Sequence, residues 1–418
     1  MRLAVIGGVA AGMSAAARAR RVDPSLEITV FEKGAEVSYG ACGLPYWISG
    51  RVRERKELIT YTAEYFRRER GIEVRTGAEV VAVSPQKREL TLAGGERVRW
   101  DKLVIAAGAR AAARGDGFVL PLLAAAGSVR AMPAAATPGR AVGVGAGYIG
   151  LELAGALRGR GWRVTLVDRE TDLLGRESGW LTRMLRDHLA RHGVELRLGP
   201  YEFLPSSELT VHAAGLAPEV SLAVEAGAEL GRTGAVRVNE RMETSVGGIY
   251  AAGDCCEAAH VVTGAPVWIP LGTTANRMGR VAGANAAGRR ERFAGVAGTA
   301  VAEVCGLGVA VTGLSEAQAK RAGFGAVAAR VEAMERAAYF GGRRITVELV
   351  ADRASRRLVG AAVVGERGVT GRINLLAAAL QARMRVEDLL DLDLAYAPPY
   401  GAVTDAVTRA ARELERAL

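Results

Sequence analysis

The chain has 418 residues, 50% of them hydrophobic and 24% charged, which is the composition of soluble globular protein and too long for one ordinary core. No apolar run reaches the ~18–20 residues that span a bilayer, and the opening MRLAVIGG enters a glycine turn without the layout of a cleavable signal, so a cytoplasmic protein with no membrane attachment is expected. The net charge of +10 comes from 5 Lys and 50 Arg spread along the whole chain with no nucleic-acid-reading motif, which argues against a nucleic-acid partner and leaves room for a local Arg pocket for phosphates.

The first predicted element is a strand, Leu3–Ile6, followed by Gly7-Gly8-Val9-Ala10-Ala11-Gly12 and a helical run of small residues from Met13 to Arg20. A second strand, Ile28–Phe31, closes on Glu32 and Lys33. This is the plan of a dinucleotide site. Gly7 and Gly12 permit the tight turn, backbone N–H groups face a pyrophosphate, and the acid takes ribose hydroxyls. Val9 departs from the pattern, since a glycine usually stands at that position.

Next comes Ser38-Tyr39-Gly40-Ala41-Cys42-Gly43-Leu44-Pro45-Tyr46. Its glycines and Pro45 predict a tight backbone opening onto a helix N-terminus. The positive end of such a helix lowers a thiol pKa, and at an unperturbed value near 8.5 only about 3% is thiolate at pH 7. Cys42 is therefore the candidate nucleophile. Asp101 to Ile105 reads as an apolar strand, and the small residues that end it, Ala107 and Gly108 among them, suit a chain packing over a bound dinucleotide.

The glycine device then recurs. Ala141–Val144 is a strand, Gly145-Ala146-Gly147-Tyr148-Ile149-Gly150 the turn, Leu151–Arg158 the helix, and Arg163–Val167 a strand closing on Asp168. Two such units predict two bound dinucleotides. Asp168 favours the free 2′-hydroxyl of NADH, while Arg169 beside it suits the 2′-phosphate of NADPH. His188 and His192, four apart on a predicted helix, have metal-holding spacing but no carboxylate motif beside them, so a solvated face is expected and no metal. Gly248 to Asp254 is a strand ending in Gly-Asp, whose carboxylate suits a ribityl hydroxyl.

The expected fold class is α/β, with two Rossmann-like dinucleotide-binding domains and a C-terminal α+β dimerisation domain. Residues 1–110 and 240–295 form a discontinuous FAD domain, 111–239 the NAD(P)H domain and 296–418 the third. In the last, Thr346–Ala351 and Leu358–Val364 alternate like paired strands, helices fit Gly371–Arg383 and Ala402–Ala417, and Tyr396-Ala397-Pro398-Pro399-Tyr400 lies between the helices. Four Cys without a CxxC make neither a disulfide framework nor a zinc knuckle.

The first glycine unit, the CGLPY segment, GAGYIGLE at 145–152, AAGD at 251–254, ANRMGRVAGANAAG at 275–288 and YAPPY at 396–400 together resemble the single-cysteine branch of the flavin-dependent pyridine nucleotide–disulfide oxidoreductases, and within it the coenzyme A–disulfide reductases. The resemblance covers nearly the full chain, with 111–140 shortened. It implies a homodimer in which NADH or NADPH reduces FAD and the flavin reduces a mixed disulfide between Cys42 and coenzyme A. Tyr148 and Glu152 would lie near the nicotinamide face of the flavin. Tyr396 and Tyr339 of the partner subunit would assist the leaving thiolate, while Arg18, Arg21, Ser38, Asn276 and Arg280 would meet the substrate. Two departures qualify the match. Ala10 stands where the related NADH oxidases and peroxidases carry His, and Ala41 where the reductases carry Asn, which opens the site to a persulfide, a polysulfide or another thiol disulfide. An NADH oxidase on the same site is a second alternative, and a flavoprotein passing electrons to a protein partner, which would not need Cys42, is a third.

Overall fold

A computed structural model describes residues 1–111, 118–119, 123–132 and 139–418. Part of the segment 111–140, read above as shortened, lies outside the described residues.

Two parallel sheets dominate the N-terminal two-thirds. The first runs in the order Ile249–Ala251, Lys102–Ile105, Arg2–Ile6, Glu27–Glu32, Glu73–Thr76. The second runs Val194–Leu198, Arg163–Asp168, Arg140–Val144, Leu209–His212, Phe118–Val119. Their central strands read as continuous apolar runs because both faces are covered, and Leu3, Ala4, Val5 and Ile6 are all buried. The edge strand Ile249–Ala251 pairs in parallel with Lys102–Ile105, so the first sheet draws on chain from both sides of the second in sequence.

Helix Ala10–Val22 packs against helix Gly272–Ala286 with their backbones in contact. A Cβ at Gly279 would lie 2.1 Å from the Ala11 carbonyl oxygen, and one at Gly283 would lie 2.0 Å from that of Ala15. The small residues spaced through 275–288 are therefore the contact face that fixes Asn276 and Arg280 beside the first helix.

The C-terminal region is an antiparallel sheet in the order Ala300–Val304, Leu307–Gly313, Leu358–Gly365, Arg344–Asp352, Ala326–Met334. The alternation expected of its two central strands is absent, since Ile345 to Asp352 and Leu358 to Gly365 are buried throughout. The reason is that both faces are covered. Helices Val369–Gln381 and Ala406–Ala417 pack on one, while Val364 and Ala362 on the other join the core of the second parallel sheet. The observed helices begin at Val369 rather than Gly371, and at Ala406 rather than Ala402 because the Asp405 carboxylate caps the latter by accepting the Val407 N–H at 2.9 Å.

Arg372, 9% exposed, ties this region together. Its guanidinium donates to Asp405 at 3.1 and 3.0 Å, to the Gly368 carbonyl at 3.0 Å and to the Glu335 carbonyl at 2.9 Å. Arg372→Ala strands the Asp405 carboxylate and is expected to cost the domain about 3–5 kcal/mol. Chemical denaturation would show an earlier transition, and removing Asp405 as well should restore part of the loss. An unmoved transition would contradict this role.

Candidate active site at Cys42

The two glycine turns are built alike. The Gly7 N–H donates to the Phe31 carbonyl at 2.8 Å, and the Gly145 N–H to that of Val167 at 2.7 Å. Each acid reaches back to the residue after the first glycine. Glu32 accepts the Gly8 N–H at 2.7 Å and, through its other oxygen, the Gly34 N–H at 2.7 Å. Asp168 accepts the Ala146 N–H at 2.6 Å and the Glu170 N–H at 3.0 Å. Carboxylate oxygens keep further lone pairs for ribose hydroxyls. Gly12 and Gly150 are required by close approach, since a Cβ at either would lie 1.8 Å from the carbonyl oxygen of Gly7 or Gly145 respectively. Val9 precedes the first helix at φ −102°, so no left-handed conformation calls for a glycine there. The space beside Gly147 is open, as it is beside Gly108 at φ +75°. Ala107 and Ile149 are half-buried, Lys33 is exposed, and the Arg169 guanidinium sits 5.6 Å over the Tyr201 ring.

Cys42 lies in a short 3₁₀ turn, Ala41–Gly43, leading into helix Leu44–Ser49. Leu44, Pro45, Trp47 and Ile48 anchor that helix in the core. Ser38 stitches the segment to the first glycine turn, because its N–H donates to the Gly8 carbonyl at 2.8 Å while its own carbonyl accepts the Thr60 N–H at 3.0 Å. Ser38 does so at φ +51°, a left-handed conformation that costs a non-glycine residue about 1–2 kcal/mol. The Cys42 turn is thus fixed against the loop of the first dinucleotide unit.

Among the cysteines Cys42 is the exposed one; Cys255 and Cys256 are buried and Cys305 is intermediate. The expected lowering of its pKa is not what the protein supplies. Crowding by surrounding protein pushes the Cys42 thiol up, the Glu152 carboxylate adds to this, and Asp254 adds less. The helix it precedes has six residues, and the two neighbouring acids act against a thiolate there. Their influence brings three distant stretches of sequence to one place: Cys42 from the first unit, Glu152 from the helix of the second, and Asp254 from the loop after Ile249–Ala251. Burial alone raises the Asp254 carboxyl from 3.8 to about 6, with no donor hydrogen offsetting it.

Sequence reasoning missed Tyr46 as a partner in this site. Its hydroxyl donates to Glu152 at 2.9 Å, and the Glu303 backbone N–H approaches the same oxygen at 3.4 Å. The signal lay in the spacing, since Tyr46 stands four residues after Cys42 where a helix begins. Burial pushes the Tyr148 phenol up and the buried Arg176 opposes this, while Arg176 itself donates to the Gly313 carbonyl at 2.8 Å.

The proposed substrate contacts divide. Arg18 pairs with Glu291, Arg280 lies 3.7 Å from the same carboxylate, and Asn276 donates to the Ser14 hydroxyl at 2.8 Å, so these converge on the paired long helices. Arg21 is on the same helix and exposed. Nothing in the sequence marked Glu291 as their counter-ion. Tyr339 and Tyr396 are 77% and 48% exposed, in two segments joined by the Arg336 guanidinium donating to the Pro399 carbonyl at 3.1 Å. With Phe340, Tyr400 and Val403 also exposed, they make an apolar surface of the kind that partners cover.

The histidines correct an expectation. His188 is half-buried rather than solvated, with Nε2 at 2.9 Å from the Val304 carbonyl, because the hairpin turn at Cys305 packs over it. Among the described residues no group of three metal-ligating side chains occurs, and no helix is long and apolar enough to cross a membrane.

Comparison with known proteins agrees with this construction. The family described as pyridine nucleotide-disulphide oxidoreductase matches residues 1–201 and 206–288, and its dimerisation domain matches 299–407. An NAD(P)H coenzyme A polysulfide/persulfide reductase of Pyrococcus horikoshii is 37% identical over 99% of this chain and 98% of its own. A coenzyme A disulfide reductase of Staphylococcus haemolyticus is 28% identical over 97% of each chain. A solved NAD-dependent persulfide reductase from A. fulgidus superposes with TM-score 0.95 at 34% identity, covering 100% of this chain and 83% of that one.

Proposed function

The chain belongs to the pyridine nucleotide–disulphide oxidoreductase family, enzymes that work with FAD and NAD(P)H, and on that premise we propose that it reduces coenzyme A disulfide or a closely related low-molecular-weight disulfide through Cys42. One observation carries the reading: the exposed cysteine sits on a turn bonded to the first glycine loop, with acids from both dinucleotide units beside it.

The residues present fit the two nucleotides. The turn at Gly7–Gly12, with Glu32 behind it and the under-bonded Asp254 carboxyl nearby, suits the FAD pyrophosphate, ribose and ribityl chain. The turn at Gly145–Gly150, with Asp168 behind it and open space at Gly147, suits the nicotinamide dinucleotide. When bound, FAD supplies the two electrons that reopen a disulfide at Cys42.

The Cys42 thiolate attacks one sulfur of the substrate disulfide. A Cys42–S bond forms, the substrate S–S bond breaks, and the departing thiolate takes a proton. We assign that proton to Tyr396 or Tyr339 of the partner subunit, which fits their exposure on the dimerisation domain. In this reading the molecule is a cytoplasmic homodimer, and the C-terminal region serves as its interface. We assign the phosphates of coenzyme A to Arg18, Arg280 and Asn276, which fits their grouping along the paired helices, with Arg21 on the helix of Arg18.

A second reading has a specific observation in its favour. Ala41 puts a small side chain beside the nucleophile, and the relatives of higher identity are named for persulfides and polysulfides. The same attack by Cys42 on a sulfur–sulfur bond serves both substrate classes.

An anaerobic assay of NADH and NADPH oxidation with coenzyme A disulfide, coenzyme A persulfide, inorganic polysulfide and cystine tests this. The coenzyme A compounds should exceed cystine in kcat/KM by roughly tenfold or more, the worth of one charge-assisted phosphate contact. Equal values with cystine would remove coenzyme A from the account, and NADH or NADPH oxidation in a parallel aerated assay with no sulfur substrate added would make the enzyme an oxidase.

A further inference from the structure

Helix Gly272–Ala286 ends in a turn at Gly288, φ +92°, and the chain continues through Arg289, Arg290, Glu291 and Arg292. The single acid of this basic run has its backbone clamped by the buried Asn285 side chain. Oδ1 of Asn285 accepts the Glu291 N–H at 2.7 Å, and Nδ2 donates to the Glu291 carbonyl at 2.9 Å and to the Arg241 carbonyl at 2.9 Å. Two residues on, the Phe293 N–H donates to the Glu240 carbonyl at 2.7 Å, and the Arg277 guanidinium lies 4.9 Å over the Phe293 ring. The Glu291 backbone is thus held from both sides, and only its side chain is free to turn.

That side chain is delivered to the paired helices. One carboxylate oxygen accepts from the Arg18 guanidinium of helix Ala10–Val22, and the other lies 3.7 Å from the Arg280 guanidinium of helix Gly272–Ala286. We propose that Glu291 is a displaceable latch: it occupies Arg18 until a phosphate group of the substrate takes its place, and so sets how well phosphate-bearing disulfides compete with those that carry none. The proposal rests on the assignment of the coenzyme A phosphates to Arg18, Arg280 and Asn276.

The form of the bond marks it as exchangeable. A guanidinium presents a fork of donors that two oxygens can meet at once. Arg372 uses its fork on Asp405, through Nε at 3.1 and 3.0 Å and through Nη2 as well. Arg18 meets Glu291 through Nη2 alone. Its Nε is buried without an acceptor, and Oε2 of Glu291 is buried without a hydrogen-bond donor. Each partner therefore keeps bonding capacity that the other does not fill. A phosphate, with more oxygens and more charge than a carboxylate, fills the fork better. The pair is also within reach of solvent, since the side chains of Arg18 and Glu291 are 26% and 22% exposed and that of Arg280 is 57% exposed. A displaced Glu291 carboxylate swings out beside Arg289 and Arg290, both exposed in the same turn. An ion pair this open is held by little energy, so exchange is cheap.

Two substitutions separate contact from charge, and both leave the Asn285 clamp intact because it acts on backbone atoms. Glu291→Gln removes the charge from Arg18. Glu291→Asp keeps the charge and, on a fixed backbone, draws the carboxylate back by one methylene. The measurement is the ratio of kcat/KM for coenzyme A disulfide to that for cystine, taken anaerobically with the FAD-loaded enzyme. The ratio should rise about three- to fivefold in Glu291→Gln, the worth of one partly exposed ion pair, and at least twofold in Glu291→Asp. A ratio that is unchanged or lowered in Glu291→Gln would make Glu291 a strut that holds Arg18 in place, and the latch would be lost. A rise in Glu291→Gln with none in Glu291→Asp would mean that general repulsion of phosphate operates instead, and this too would overturn the proposal. Arg18→Ala tests the reading underneath: the ratio should fall, and an unchanged ratio there would remove Arg18 from the phosphate site whatever the Glu291 variants do.

Discussion

Gly12→Val is expected to yield a colourless protein that neither retains nor rebinds FAD. The added Cβ would fall 1.8 Å from the Gly7 carbonyl oxygen, 2.9 Å from its carbon and 3.3 Å from Val5 Cγ1. The first obstacle is backbone in the turn itself, so relief requires the helix to lift away from the loop. That movement pulls the Gly8 N–H out of register with Glu32 and the backbone donors away from a pyrophosphate. The same lift breaks the contact of Ala11 with Gly279, where the two long helices have no slack. Overpacking of this kind costs about 1–3 kcal/mol or more, roughly a ten- to hundredfold loss of affinity, before any lost phosphate contact is counted. Gly94→Ala provides the control, since a Cβ there meets nothing within 4 Å. Visible absorbance of the purified variants decides it. A yellow Gly12→Val protein with full flavin content would mean that the turn does not hold the pyrophosphate.

Both glycine turns were legible because each needs a strand, a steric exception and an acid in fixed order, and the local physics of each is complete within about thirty residues. The fold class followed from them. The electrostatics of Cys42 was not legible. Reading a helix N-terminus from Gly43, Leu44 and Pro45 ignored the surrounding protein that pushes the thiol up and two carboxylates that add to it from residues more than a hundred positions away. His188 failed for a similar reason. Its spacing to His192 is local, but the hairpin that covers it begins at Ala300. The strands Arg344–Asp352 and Leu358–Gly365 were placed correctly and their alternation misjudged, because the second face is buried by another part of the chain. Glu291 left no local trace, since its role depends on Arg18 and Arg280 meeting it from two helices. What is encoded within one element was readable; what depends on charges or surfaces brought from elsewhere was not.

Cys42→Ser is expected to abolish disulfide reduction while leaving reduction of the flavin by NADH or NADPH near the parent rate. Serine is close to cysteine in size, and the turn that holds it is fixed by Ser38, Gly40 and the buried Leu44, Trp47 and Ile48, none of which touches the substitution chemically. The nicotinamide side rests on Gly145–Gly150 and Asp168, which are equally unaffected. A serine hydroxyl has no nucleophilic anion at neutral pH, so the loss at the disulfide should be at least about a thousandfold, whereas a cysteine kept only for packing would give a modest change. Anaerobic rapid mixing of the FAD-loaded variant separates the two halves directly. The flavin absorbance should bleach normally with NADH or NADPH and then stay bleached when coenzyme A disulfide is added, while the parent protein recovers its colour. Recovery of colour in the serine variant at the parent rate would contradict the assignment of Cys42 as the point where electrons leave the enzyme.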